Sequence, residues 1–187
     1  MVLTVPAFQN FGRANELTAA GNQIAGLASQ ARQNSITRGA LTLLLIAEDG
    51  DVSHRSATLY ELRPREDGSS LQPKDWKQIS RWMILPTGIV VDTASSATTM
   101  ANQATALVPP LPPINYQNTT VGRYRMLVFK SDGSLLPIGN IAVPQLRLVE
   151  GTSEGATQIR YTRDNGTTSF YNILFLPASG RLKIERS

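Results

Sequence analysis

The residue types that carry most enzyme chemistry are sparse in this chain of 187 residues, which has one histidine and no cysteine. Without cysteine the chain has no disulfides, no zinc–thiolate sites and no cysteine nucleophile. The histidine, His54, lies at the edge of the predicted turn from Asp49 to Arg55, where we expect it to be solvated rather than catalytic. The sequence also lacks a Gly-x-Ser-x-Gly elbow and the glycine loops that bind phosphates or dinucleotides. We therefore predict a non-enzymatic protein with no catalytic residue and no cofactor.

Acidic residues leave two further kinds of chemistry open. Glu48, Asp49 and Asp51 lie in one turn, and their oxygen atoms could hold a calcium ion. Because their spacing lacks the EF-hand pattern, we favour a solvated hairpin turn and predict no metal. Hydrolysis by two carboxylates stays open in principle, since 14 acidic residues permit some pair to lie close together.

Two tryptophans, Trp76 and Trp82, are the candidates for a ligand platform. They are separated by an even number of positions, so they would lie on one face of a predicted strand. If exposed, their rings could stack on a sugar. Burial of both rings under a helix explains the same spacing and is favoured.

The elements that would position these residues begin with a predicted amphipathic helix from Ala14 to Arg38. Apolar or small side chains recur there at steps of three and four, which places them on one stripe. Gly21 and Gly26 each weaken the helix interior by about 1 kcal/mol relative to alanine, so we expect a sheet to support it. The stripe residues expected to pack on that sheet are Leu17, Ile24, Leu27, Ala31 and Ile36.

Strand patterns with turn residues at their joints occupy most of the remaining chain, and they predict roughly eight short antiparallel strands. Residues 93–120 interrupt the pattern, with a predicted short helix from Met100 to Leu107 and a polyproline run from Pro109 to Pro113. We interpret that run as a stiff spacer rather than a ligand for an aromatic groove. The fold class is therefore α+β, with a long N-terminal helix packed on antiparallel sheet. The predicted strands are Leu41–Ile46, Ser56–Leu62, Trp76–Leu85, Gly88–Val91, Tyr124–Lys130, Gln145–Val149, Gln158–Arg163, Ser169–Leu176 and Arg181–Ile184.

Length and charge fit one domain that does not bind nucleic acid. The net charge of +4 comes without a run of like charges, which indicates a solvated face. The apolar stub from Val2 to Phe8 is far shorter than the about 20 residues that span a bilayer. We interpret residues 1–12 as the residual end of a truncated transmembrane helix. Residues 13–187 then form one globular domain, with a helical stem at 13–39 and a β-rich head at 40–187.

Three segments, in this order, resemble the pseudopilins of bacterial type II secretion systems and, more broadly, type IV pilins. The helix end, residues 31–38, is similar to the stem of the H-type minor pseudopilins, with Ser35 at the usual alanine position. Residues 128–133 and 173–184 are similar to two pieces of that family's sheet. The chain also resembles the prepilin-like cassette proteins of Verrucomicrobia-type bacteria. Residues 63–120 are unmatched and read as an insertion, and the family's processed N-terminal phenylalanine and following glutamate are absent.

This resemblance implies a pilin-like structural subunit of an envelope filament. Its partners would be other pilin-like subunits, reached through the N-terminal helix, and the inner membrane, reached through a missing N-terminal segment. The protein would be single-pass, with its globular domain in the periplasm or on the cell surface. Without that segment, Leu3, Phe8 and Phe11 are expected to make the truncated form dimerise. The alternative is a secreted or surface β-rich module that binds glycan or protein through the insertion and its tryptophans.

Overall fold

A computed structural model describes most of the chain, with side chains from residue 15 onward, Gln158 apart. The predicted stub falls largely outside it, as do the side chains of Phe8 and Phe11, so the dimerisation of a truncated form stays a prediction. The described residues are 6–50, 53–63, 65, 68–93, 98–102, 107, 109–137, 141–154, 158–162 and 169–186.

Helix α1 runs over Pro6–Arg38, so it starts before the predicted Ala14. Its C-terminus is closed by Gly39, whose φ of +61° suits a residue without a side chain. The N–H of Ala40 then donates to the carbonyl oxygen of Ser35 at 3.2 Å, the bond that characterises a Schellman cap. Within the described residues, no helix is long and apolar enough to cross a membrane.

Thirteen antiparallel strands follow in the described residues, so the predicted α+β class is confirmed and the predicted number of strands is wrong. The additional short strands lie between residues 83 and 121, where sequence periodicity is weakest. The strands are β1 (Leu41–Ala47), β2 (Ser56–Leu62), β3 (Trp76–Gln78), β4 (Met83–Ile84), β5 (Ile89–Val91), β6 (Ala101–Asn102), β7 (Ile114–Tyr116), β8 (Thr119–Val121), β9 (Tyr124–Phe129), β10 (Gln145–Glu154), β11 (Gln158–Tyr161), β12 (Phe170–Phe175) and β13 (Leu182–Arg186).

The strands form two main sheets and a small hairpin. The first sheet has the order β3-β2-β1-β9-β6, with β4 also paired to β2. The second sheet has the order β11-β10-β12-β13, with β5 also paired to β10. Strands β7 and β8 pair only with each other. In the first sheet, β1 from the N-terminal part of the chain lies at the centre between β2 and β9, whereas the second sheet is built from strands after residue 88.

The first sheet is covered on both faces, which explains why β1 and β2 are buried at nearly every position. Leu44 and Ile46 face the helix and belong to the same core cluster as its stripe. Leu43 and Leu45 face the other way and pack with Ile114 of the inserted segment. Alternating side chains of one strand point to opposite faces, so the insertion supplies a second apolar layer.

Two predictions for the insertion are wrong. Ala101 and Asn102 form β6 where a short helix was predicted, because they pair with β9 in the first sheet. Trp76 and Trp82 do not share a strand, since β3 ends at Gln78 and β4 begins at Met83. The proline run from Pro109 to Pro113 has no regular hydrogen-bonded structure, and Leu111 packs on the outer apolar layer.

We predict that Trp76→Ala destabilises the protein by about 3–5 kcal/mol, the usual cost of truncating a buried tryptophan. The ring is 4% exposed, and its Nε1–H donates to the carbonyl oxygen of Pro109 at 3.0 Å. Urea denaturation followed by circular dichroism measures the loss. Trp82→Ala serves as the matched comparison and should cost less, because Trp82 is only half-buried. A loss under about 1 kcal/mol for Trp76→Ala would contradict the described outer layer.

Candidate functional site

The feature with the widest structural reach is the interface between α1 and the sheets. The helix contacts β1, β2 and β9 of the first sheet and β5, β10 and β12 of the second. Four of the predicted stripe residues, Leu17, Ile24, Leu27 and Ala31, are buried in the core cluster that includes strands of both sheets. One helix therefore joins two sheets into one core.

Ile36, the fifth predicted stripe residue, differs from the other four. It is 39% exposed, and its Cδ1 lies close to Gly133 in the turn after β9 rather than inside the core cluster. A side chain at position 133 would collide with Ile36. Gly133 has a φ of +79°, so this turn needs glycine both for its backbone and for its contact with the helix.

A second turn, residues 177–180, holds the helix beside the first one. The Nε–H of Arg32 donates to the carbonyl oxygen of Ser179 at 2.7 Å. The two turns also touch each other, because a methyl group on Gly180 would overlap the carbonyl oxygen of Gly133. The three segments that carry the sequence resemblance thus meet at one place: the end of the helix, the turn after β9 and the turn before β13.

Further toward the N-terminus, Gly21 lets the second sheet approach the helix backbone. The ring of Tyr171 lies where a side chain at position 21 would be. Its hydroxyl donates to Oδ1 of Asn22 at 2.8 Å, and the ring is almost completely buried. Arg186 lies on β13, and its guanidinium is 5.0 Å from the centroid of the Tyr171 ring. Sequence reasoning treated Gly21 as a weak point of the helix and missed this contact.

The predicted tryptophan platform is not assembled as one exposed surface. Trp76 is buried in the outer apolar layer, on the sheet face opposite α1, so the predicted burial under the helix is wrong in its location. Trp82 is half-buried, and its Nε1–H donates to the carbonyl oxygen of Asn115 at 3.1 Å. Its ring meets Tyr116 edge to face at 5.7 Å. Each indole is therefore engaged with the insertion.

His54 is completely buried, so the prediction of a solvated turn histidine is wrong. Its N–H donates to the carbonyl oxygen of Ala47, and its own carbonyl oxygen accepts from the N–H of Val91. The ring Nδ1 lies 2.8 Å from Oγ1 of Thr93. These bonds connect β1 of the first sheet with β5 of the second. His54 therefore has a structural role where the two sheets meet.

The acidic turn is also built differently from the predicted solvated hairpin. Glu48 is 3% exposed and pairs with Nε of Arg125 at 2.7 Å. Oδ2 of Asp49 accepts from the N–H of Gly122 at 3.1 Å, and Asp51 lies outside the described residues. In the part of the chain that the structure describes, no group of three or more histidine, cysteine or acidic residues could hold a metal ion.

Tyr161 of β11 is the ionisable group with the clearest perturbation. Its hydroxyl donates to Oδ1 of Asp92 at 2.9 Å. Burial, followed by this hydrogen bond and the negative charge of Asp92, raises the pKa of Tyr161 from 10.0 to about 12. The neutral phenol is therefore part of the folded state.

Comparison with known proteins gives one structural similarity. The sequence matches no protein-family model and no curated protein. Among solved structures, the chain is similar to the crystal structure of the type IV minor pilin FimU of Pseudomonas aeruginosa. The TM-score is 0.45 and the identity 14%, over 94% of this chain and 92% of that chain. Since so distant a likeness carries no function with it, the role of this chain has to be argued from its own contacts.

We predict opposite effects for alanine at the two helix glycines. Gly21→Ala should destabilise the protein by about 1–3 kcal/mol, because the methyl group overlaps the buried Tyr171 ring. Gly26→Ala is the matched control, since position 26 is exposed and a Cβ there has no neighbour within 4 Å. It should stabilise by about 0.5–1 kcal/mol through helix propensity. Thermal and urea denaturation measure both, and equal effects would contradict the close approach.

We further predict that Tyr161 makes stability depend on pH at the alkaline end. The unfolded chain releases the phenol proton near pH 10.0, whereas the folded protein holds it up to about pH 12. The contribution of Tyr161 to the free energy of unfolding is therefore fully present below pH 10.0 and is lost as the pH rises through about 12. Urea unfolding of the wild type and Tyr161→Phe across this interval measures the share of Tyr161. The free energy of unfolding should decline less in the variant than in the wild type, but it should still decline, because burial also raises the pKa of Tyr60 and Tyr124. Identical declines in the two proteins would contradict a contribution from Tyr161.

Proposed function

We propose that this protein is a structural, non-enzymatic, pilin-like subunit that joins an envelope filament through its N-terminal helix. The observation that carries the proposal is the way α1 is divided. From Leu17 onward its stripe lies in the core, whereas the helix itself begins at Pro6. Residues 6–16 add about 16 Å of helix at 1.5 Å per residue. The same helix can thus hold its own sheets with one part and meet other subunits with the other.

The outer side of α1 supports this role. Asn15, Ala19 and Gln23 are exposed along its N-terminal half. Between residues 15 and 23 the helix has only one charged residue, Glu16. Neutral amide and small side chains allow helices to pack side by side without like-charge repulsion. Such a surface suits repeated association of identical or related helices.

The described residues also favour a structural role over a catalytic one. The single histidine is completely buried at the junction of the sheets. Glu48 is ion-paired with Arg125. Trp76 and Trp82 are held by the insertion rather than offered together, so the alternative of a binding module built on them has less support.

The finer assignments stay predictions. They comprise membership of the H-type minor pseudopilins, a type II secretion system, a prepilin-like cassette protein and prepilin methylation. Single-pass attachment to the inner membrane, a periplasmic or surface location and the division at residues 12 and 39 belong with them. Each depends on segments or partners beyond the described contacts.

Cysteine cross-linking tests the proposal, because the chain has no native cysteine. We expect Glu16→Cys in the full natural protein, expressed in its own host, to be linked to neighbouring subunits by a short bis-maleimide. Gln33→Cys is the matched control, since residue 33 is exposed on the part of the helix that packs on its own sheets. It should give at least about tenfold less cross-linked product.

The two variants must react equally with a monofunctional maleimide in detergent, which excludes a difference in accessibility. Immunoblots of the filament-enriched and membrane fractions give the yields. Equal cross-linking at both positions, or none at Glu16→Cys in any fraction, would contradict assembly through the N-terminal helix.

A further inference from the structure

A charged cleft of about 370 Å³ lies at the C-terminal end of α1 and has no part in the helix interface. Its volume falls in the lower range of small-ligand pockets, which is about 300–1,000 Å³. Four cations and two carboxylates contribute to its wall, so its net charge is two positive units. These residues are Arg38, Arg63, Arg65, Lys77, Glu61 and Asp75.

Three elements bring these side chains together. Arg38 is the last residue of α1, and Glu61 lies near the end of β2. Lys77 of β3 is the direct antiparallel partner of Glu61. Side chains of direct partners project to the same face of a sheet. Since Leu59 of β2 faces the helix, Glu61 two residues later does so too, just beyond the point where the helix ends.

The central group is the carboxylate of Glu61, which is 3% exposed. Its Oε1 is paired with Nε of Arg63. Its Oε2 is buried and has no hydrogen-bond partner, and the nearest cation, Nη1 of Arg38, lies 3.4 Å away. A buried acceptor without a donor is costly, so this oxygen favours a ligand group that can donate a hydrogen bond.

The remaining charges differ in how firmly they are held. Arg65 and Asp75 pair at 3.0 Å, and hydrogen bonds from Arg65 and the backbone N–H of Gln72 lower the pKa of Asp75. Lys77 is exposed and has no ion-pair partner among the described residues. The cleft thus combines the Arg65–Asp75 ion pair, the exposed cation Lys77 and the buried acceptor oxygen of Glu61.

This combination selects the chemistry of a ligand. The cations favour an anionic group, which arginine can bind through two parallel hydrogen bonds. The Oε2 of Glu61 is ion-paired with Arg38 but accepts no hydrogen bond, so it favours a donor such as a hydroxyl group. A DNA backbone fits less well, because its phosphodiesters and deoxyribose rings offer no hydrogen-bond donor to Oε2 of Glu61. A sugar acid has both a carboxylate and several hydroxyl groups.

We propose that this cleft binds a uronic acid unit of an acidic glycan. The sugar carboxylate pairs with Lys77 and Arg38, and a ring hydroxyl donates to Oε2 of Glu61. The site is separate from the proposed filament contact, since its only residue on α1 is Arg38 at the C-terminal end, whereas assembly uses residues 6–16.

Calorimetric titration of the purified protein at low salt tests the proposal, with oligogalacturonate as the probe and a neutral oligosaccharide of equal length as its comparison. We expect binding of the first only. Lys77→Gln should weaken it at least about tenfold while leaving the unfolding midpoint unchanged. Arg181→Gln is the matched control, because it removes one exposed positive charge from a turn outside the cleft and should keep full affinity.

Glu61→Gln separates recognition of a sugar from general attraction of anions. It should weaken oligogalacturonate and strengthen inorganic polyphosphate, because it removes a negative charge together with the strong acceptor. If this variant fails to fold, Lys77→Gln carries the test alone. Absence of oligogalacturonate binding, equal binding of the neutral oligosaccharide, an unchanged affinity in Lys77→Gln, or binding of a DNA oligonucleotide instead would each overturn the proposal.

Discussion

The contact between α1 and the two sheets is the interaction on which the rest of this structure depends. A helix with glycine at positions 21 and 26 gains little stability from its own backbone and needs tertiary packing. The packing comes from both sheets, because the stripe from Leu17 to Ala31 lies in a core shared by their strands. Gly21 makes the second half of this contact possible by admitting the Tyr171 ring. Gly21 therefore both weakens the isolated helix and permits its close contact with the second sheet.

The outer layer follows from the same arrangement. Once the helix occupies one face of the first sheet, the apolar residues on the other face need a cover, and the inserted segment provides it through Trp76 and Ile114. The insertion is therefore part of the core rather than an appendage. It also places the charged cleft, because β3, the strand that carries Lys77, belongs to the insertion and pairs with β2 beside the end of the helix.

Sequence patterns predict the elements that local periodicity controls. The bounds of β2 agree with the prediction, and β1 extends the predicted run by one residue, because apolar runs and alternation identify buried strands directly. The placement of Trp76, the burial of His54 and the Gly21–Tyr171 contact depend on residues far apart in the chain. Asn22 and Tyr171, for example, meet across 149 positions. No local signal encodes such pairings, and the charged cleft escaped prediction for the same reason.

Native-state hydrogen exchange tests most directly whether the helix and both sheets form one cooperative unit. The account predicts that the slowest amides of α1 between residues 17 and 35 exchange with the same free energy as those of β1 and β12. That value should equal the global free energy of unfolding. Helix amides that exchange well below it, while both sheets keep full protection, would contradict the account, because the helix would then be only docked on a fold that holds together without it.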